Sequence, residues 1–285
     1  MKLYPYKDIQ STQGNLALWY GPSGVGKTST LLQTCDDPIT YLTAEDRSIE
    51  TTLAAINRSD IKLKIGRYEG FLDFLDTLAN PEFFKGTKTI IVDSLTHLMN
   101  VHLQDELLAE SYEALDKKKG IEKELVMRAK MSLESYGALA VQMKRMMSLL
   151  QRLTQVGIDV HCTARVESAP KWDRSLAAAP SLAGKEFSRD FVGFFDFIGL
   201  LSDHIDEAHN VIYPPLVSCQ TDGSYLAKWT GVTPGGGVIN RPFHVAKMLQ
   251  AAHGNSTKMS KGKTKVLQPQ DDSTTSDNVD INQTP

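Results

Sequence analysis

The chain has 285 residues and a formal net charge of -3 at pH 7, long enough for one large α/β domain with an ample core. That charge balance excludes a protein that coats nucleic acid by bulk electrostatics, so any nucleic-acid contact has to come from local patches. No apolar run is long enough to span a bilayer, the first ten residues lack the apolar centre of a signal peptide, and Cys35, Cys162 and Cys219 lack C-x-x-C spacing, so the expectation is a cytoplasmic protein with reduced thiols and no membrane partner.

The first predicted strand, Leu16 to Tyr20, runs into Gly21, Pro22, Ser23, Gly24, Val25, Gly26, Lys27 and Thr28, which fit G-x-x-x-x-G-K-[ST]. A polyphosphate needs many converging hydrogen-bond donors, and a loop nearly free of bulky side chains supplies them from its backbone amides. The following helix adds its positive N-terminal end. Lys27 would reach the β and γ phosphates, the Thr28 hydroxyl would sit on Mg²⁺, and Ser29 continues the nucleotide-binding turn. ATP and Mg²⁺ are therefore the expected cofactors.

Four further strands are predicted: Ile39 to Thr43, Ile61 to Arg67, Thr89 to Asp93 and Ile158 to Ala164. Helical patterns lie between them, notably "GFLDFLDTLA" and "YGALAVQMKRMMSLLQRLTQ". Such alternation predicts a mostly parallel central sheet covered on both faces, with ligands at the carboxyl ends of its strands. Two carboxylates fall there. Asp93 closes "TIIVD" and is placed to hold Mg²⁺ through its water shell, with Ser94 next in line near an attacking water. Glu45, just past the second strand, either faces the γ phosphate or is an acid favoured at the start of the next helix. Asp46 and Arg47 are read as capping that helix or touching the base.

A charged insertion at about 100–135 carries Lys117, Lys118, Lys119, Lys123, Arg128 and Lys130 among as many acids. It reads as a helical excursion or a mobile loop. From Phe194 the chain turns to "FFDFIGLLS", "NVIYPPLVSCQ" and "GSYLAKWTG", expected to extend the sheet as antiparallel strands or hairpins. One domain is read over residues 1–253. Residues 254–285 hold too few apolar groups to offset the entropy of ordering and are read as a disordered polar tail.

Taken in order, "GPSGVGKTS", "YLTAED", "IIVDSLTHL" and the long helix leading into "IDVHCTARVE" resemble the corresponding segments of the RecA family of recombinases. More narrowly, the compact core and the "AKWTG" near the end look like the phage RecA-core ATPases, which include single-strand annealing proteins of the Sak type. The resemblance spans roughly Leu16 to Thr230 and implies a RecA-like P-loop NTPase fold. It implies that Glu45 activates water and that Lys27, Thr28 and Asp93 hold Mg·ATP. Where recombinases end a strand in Asn-Gln-x-Arg, this chain has "HCTAR": Arg165 matches the arginine, and Thr163 stands where the phosphate-sensing glutamine would be. The loops after the Asp93 and Thr163 strands would hold single-stranded DNA. In the second loop Lys171, Trp172, Arg174, Lys185 and Arg189 are the candidates, with Trp172 either stacking on a base or packing in the core. Lys228 lies where recombinases carry a lysine that completes a neighbour's site, or it is a solvent-facing lysine on a late strand. The implied protein is a DNA-stimulated ATPase of phage-type recombination or annealing. It would self-associate into a ring or filament, with a single-strand binding protein as a further partner. The alternative is a nucleotide-gated assembly factor, such as a helicase loader or a packaging-associated ATPase, whose partner is a protein.

Overall fold

The computed structural model describes residues 13–45, 49–56, 58, 60–108, 133–182, 185–231 and 238–258. Its centre is β1 (Leu16–Gly21), with all six residues buried. Such a run of apolar residues on both faces is what a central parallel strand requires. β2 (Ile39–Thr43), β3 (Leu63–Arg67), β4 (Thr89–Asp93) and β5 (Asp159–Ser168) join it, and β6 (Ala178–Pro180) pairs only with β5. β7 (Phe197–Ile205), β8 (Val211–Ser218) and β9 (Arg241–Pro242) complete the order β3-β2-β4-β5-β1-β7-β8-β9. All pairings from β3 to β7 are parallel, whereas β8 and β9 add in antiparallel sense. The fold is α/β, a mostly parallel sheet with an antiparallel extension on its C-terminal side.

Alternation along β1 divides the core. Leu16, Leu18 and Tyr20 face one apolar cluster, and Ala17 and Trp19 face the other. The first cluster is covered by α3 (Phe71–Ala79) and α5 (Leu133–Gln155). On α5 a stripe of Leu139, Met143, Met146, Leu150 and Leu153 is buried, at the three- and four-residue spacing of one helix face. α1 (Lys27–Thr34), α2 (Ile49–Ile56) and α7 (Val245–Lys258) cover the other. The short α4 (Leu95–His97), which widens into a π-helical turn at Leu98–Leu103, and α6 (Lys185–Asp190) also pack on the first cluster. Gly199 on β7 makes room for Trp19, since a Cβ there would lie 2.8 Å from the indole.

Several expectations shift. β3 begins at Leu63 rather than Ile61, and β5 continues four residues beyond Ala164 because Val166, Glu167 and Ser168 pair with β6. "GSYLAKWTG" is not a strand: Tyr225 and Lys228 make only single bridges, to Ala178 and Ile198. The boundary read at residue 254 falls inside α7, whose backbone hydrogen bonding carries it to Lys258. The rest of the tail, 259–285, and most of the charged insertion, 109–132, lie outside the described residues. The three cysteines are buried and form no disulfide, and no described helix is long and apolar enough to cross a membrane.

One buried polar pair gives the fold a pH dependence. The Trp19 indole N–H donates to His161 Nδ1 at 3.1 Å. Burial pushes the imidazole from its ordinary 6.5 down to about 4, against an opposing pull from Asp159. Between those values the unfolded chain binds a proton that the folded chain refuses. This contribution is therefore complete above about pH 6.5 and declines as pH falls toward 4, by roughly 3 kcal/mol. Thermal denaturation across that window is expected to show the decline in the native sequence and a shallower one in His161→Gln. Equal slopes would assign the effect to other groups.

Candidate active site

β1, β2, β4 and β5 are parallel, so their carboxyl ends lie together, with Gly21 opposite Arg165 and Thr43 opposite Asp93. The loop from Gly21 to Gly26 crosses this end and feeds α1 at Lys27. Gly26 has φ 92°, the left-handed region that glycine enters without strain, and this turns the chain sharply into the helix. The loop walls a cleft of about 230 Å³ that is also lined by Lys27, Thr28, Glu45, Asp93, Ser94 and Arg165. Residues far apart in the chain thus meet at one place.

The Lys27 ammonium lies against the loop, donating to the carbonyls of Gly21 at 3.0 Å and Pro22 at 2.7 Å. Thr28 Oγ1 donates to Asp93 Oδ2 at 2.6 Å. A hydroxyl and a carboxylate side by side form a hard-oxygen set suited to a magnesium ion with its waters. With the glycine-rich loop and the lysine beside them, these groups fit Mg²⁺-bound polyphosphate. Glu45 follows β2, its amide donating to Thr43 Oγ1 at 3.0 Å, and it lines the cleft. The described part of α2 runs from Ile49, with Glu50 in its first turn. Asp46 and Arg47 lie outside the described residues.

The Ser94 hydroxyl caps α4, accepting from the His97 amide at 3.2 Å, and the residue also lines the cleft. Thr163 is buried and does not line the cleft; its Oγ1 donates to Asp93 Oδ1 at 2.5 Å. It holds the Asp93 carboxylate from β5, with Ala164 and Arg165 carrying the strand into the cleft. Tyr41 is the residue that the sequence reading missed. Its hydroxyl donates to Asp93 Oδ2 at 2.8 Å. Burial first, and then the neighbouring Asp93 charge, push the phenol far above its ordinary range, so it stays a donor. The available signal was a polar ring in an otherwise buried strand.

Lys228 is not the solvent-facing lysine of a late strand. Its ammonium is partly buried and donates to the carbonyls of Phe195 at 2.6 Å and Val192 at 3.2 Å, at the end of the 3-10 turn Phe191–Phe194. Its backbone bridges Ile198, near the amino end of β7. In the single chain this cation neutralises the carbonyl end of a turn.

The β5–β6 hairpin rises beyond the sheet at the same end as the cleft, with Val166 opposite Pro180 and Ser168 opposite Ala178. At its tip Lys171 and Arg174 are exposed and Trp172 is half-buried. The indole nitrogen of Trp172 is turned inside and has no hydrogen-bond partner among the described residues. The side chains of Lys185 and Arg189, on α6, are outside those residues. Thr96 on α4 ties the hairpin base to the Asp93 segment, accepting from the Arg165 amide and donating to the Ser181 carbonyl, both at 2.9 Å.

No curated protein matches the chain. A family model described as an AAA domain matches residues 13–208, more than half of the chain and the whole of the cleft just described. With a phosphate-binding loop, an adjoining hydroxyl–carboxylate pair and a parallel sheet that brings them together, the chain belongs to the AAA domain family of P-loop ATPase-type domains.

Proposed function

We propose that the protein is a Mg²⁺-dependent ATPase with a RecA-like core that acts on single-stranded DNA in phage-type recombination or annealing, working as an oligomer. The observation that carries this reading is the path of β5. One strand holds Asp93 through Thr163, lines the cleft with Arg165 and then rises into the hairpin bearing Lys171, Trp172 and Arg174. Nucleotide and hairpin thus share a rigid element, and Thr96 pins both hairpin strands to the helix after Asp93.

In this reading the loop amides and Lys27 bind and orient the β and γ phosphates. Mg²⁺ would be held by Thr28 and Asp93 and would neutralise charge on the transferring phosphoryl group. Glu45 orients the attacking water in line with the γ phosphorus and accepts its proton as the bond to the bridging oxygen breaks.

The test is ATP turnover with and without single-stranded DNA. A several-fold stimulation is expected, and the affinity for DNA should fall steeply with salt, since in a net acidic chain the displacement of counterions falls to the loop cations. Trp172→Ala should weaken binding by about 1–3 kcal/mol through loss of a stacking face. Turnover indifferent to DNA and raised by a protein partner would replace this reading with the assembly-factor one. An unchanged affinity at matched salt would return Trp172 to packing.

A further inference from the structure

Asp93 receives three hydroxyl groups, and their geometry separates them into two kinds. Thr28 and Tyr41 both donate to Oδ2, at 2.6 and 2.8 Å, while Thr163 donates to Oδ1 at 2.5 Å. Thr28 belongs to the phosphate loop's helix, and its hydroxyl is the one that a metal at this site would recruit. Tyr41 and Thr163 belong to β2 and β5, the strands that flank β4 on either side. Both are buried. We infer that Tyr41 and Thr163 are positioning residues that clamp the Asp93 carboxylate from both sides, so that its orientation toward the metal's water shell persists when Thr28 turns to the metal.

A carboxylate at a strand end can rotate about its last torsion, for which the rotational wells are broad. With Thr28 withdrawn, each oxygen of Asp93 still keeps one hydroxyl, and the two hydroxyls come from strands held in register by the sheet: Tyr41 pairs with Ile91, and Cys162, next to Thr163, pairs with Val92. The plane of the carboxylate is then set by side chains of the central sheet and not of the phosphate loop. Groups that orient a metal-binding carboxylate without touching the metal typically change metal affinity by about 10–100-fold when removed. Thr163 thereby has a task that does not require it to reach a phosphate.

The inference rests on the Mg²⁺-dependent nucleotide reading above. The experiment measures the affinity of a fluorescent ADP analogue in EDTA and across a Mg²⁺ titration for the native protein, Tyr41→Phe, Thr163→Val and Thr163→Ser. Tyr41→Phe and Thr163→Val remove one hydroxyl each at nearly constant volume. They are expected to leave metal-free affinity within about twofold of native, while the Mg²⁺ concentration giving half of the metal-dependent change rises about tenfold. Thr163→Ser restores the donor and should return the native Mg²⁺ dependence, which a role in packing alone would not do. A native Mg²⁺ dependence in both hydroxyl-less variants overturns the inference. So does an equal loss of affinity with and without metal, because that would mark a general defect of the pocket. Native protein that binds the analogue with no response to Mg²⁺ overturns the magnesium reading itself, and the clamp with it, and is recognised before any variant is compared.

Discussion

Lys27→Ala is expected to abolish ATP turnover and to weaken nucleotide binding by about 100-fold or more, because hydrogen bonds from a charged group contribute about 1.5–3 kcal/mol each and this ammonium is placed to serve two phosphates. The loop amides carry no net charge, and a magnesium ion would be held by Thr28 and Asp93, so neither stands in for the Lys27 ammonium. The structure also separates this effect from unfolding. In the folded chain Lys27 donates to two loop carbonyls, and the one on Pro22 is at the exposed surface. Losing them leaves groups that water can solvate, so the melting temperature should change little. Nucleotide affinity measured by titration, with thermal denaturation of the same variant alongside, checks both halves. Native affinity in Lys27→Ala would dismiss the loop as the phosphate site.

Glu45→Gln is expected to bind ATP like the native protein and to hydrolyse it roughly 10²-fold more slowly, or slower still, because the amide keeps the shape of the side chain but cannot take a proton. The expectation rests on placement. Glu45 lines the cleft with Lys27, Thr28 and Asp93, and its amide is held by Thr43. Single-turnover hydrolysis with saturating enzyme isolates the chemical step from binding and release. Near-native turnover there would remove Glu45 from the mechanism and leave it as a loop acid.

Much of the sheet was legible residue by residue. The bounds of β2 and β4 agree with the reading of "ITYLT" and "TIIVD", because a central parallel strand advertises itself by a short apolar run that ends where the sheet ends. Legibility failed where strand character comes from a partner. Val166, Glu167 and Ser168 extend β5 because β6 pairs with them. "GSYLAKWTG" alternates like a strand and yet makes single bridges. The setting of Lys228 was illegible for a related reason: the carbonyls of Val192 and Phe195 that hold its ammonium lie more than thirty residues away, and no local pattern announces them.

The sequence by itself determined the phosphate loop, since a cradle of backbone amides depends only on adjacent residues, on glycines free of side chains and on a helix that starts at Lys27. It also placed Asp93 and Glu45 at strand ends, where a parallel sheet gathers its ligand groups. Tertiary structure alone decided what surrounds Asp93. Tyr41 is 52 residues and Thr163 is 70 residues from that carboxylate along the chain, and they reach it because β2 and β5 flank β4. Strand order is a property of the assembled sheet, set by how helices cover its two faces, and it is this order that turns a buried tyrosine and a threonine into partners of one carboxylate.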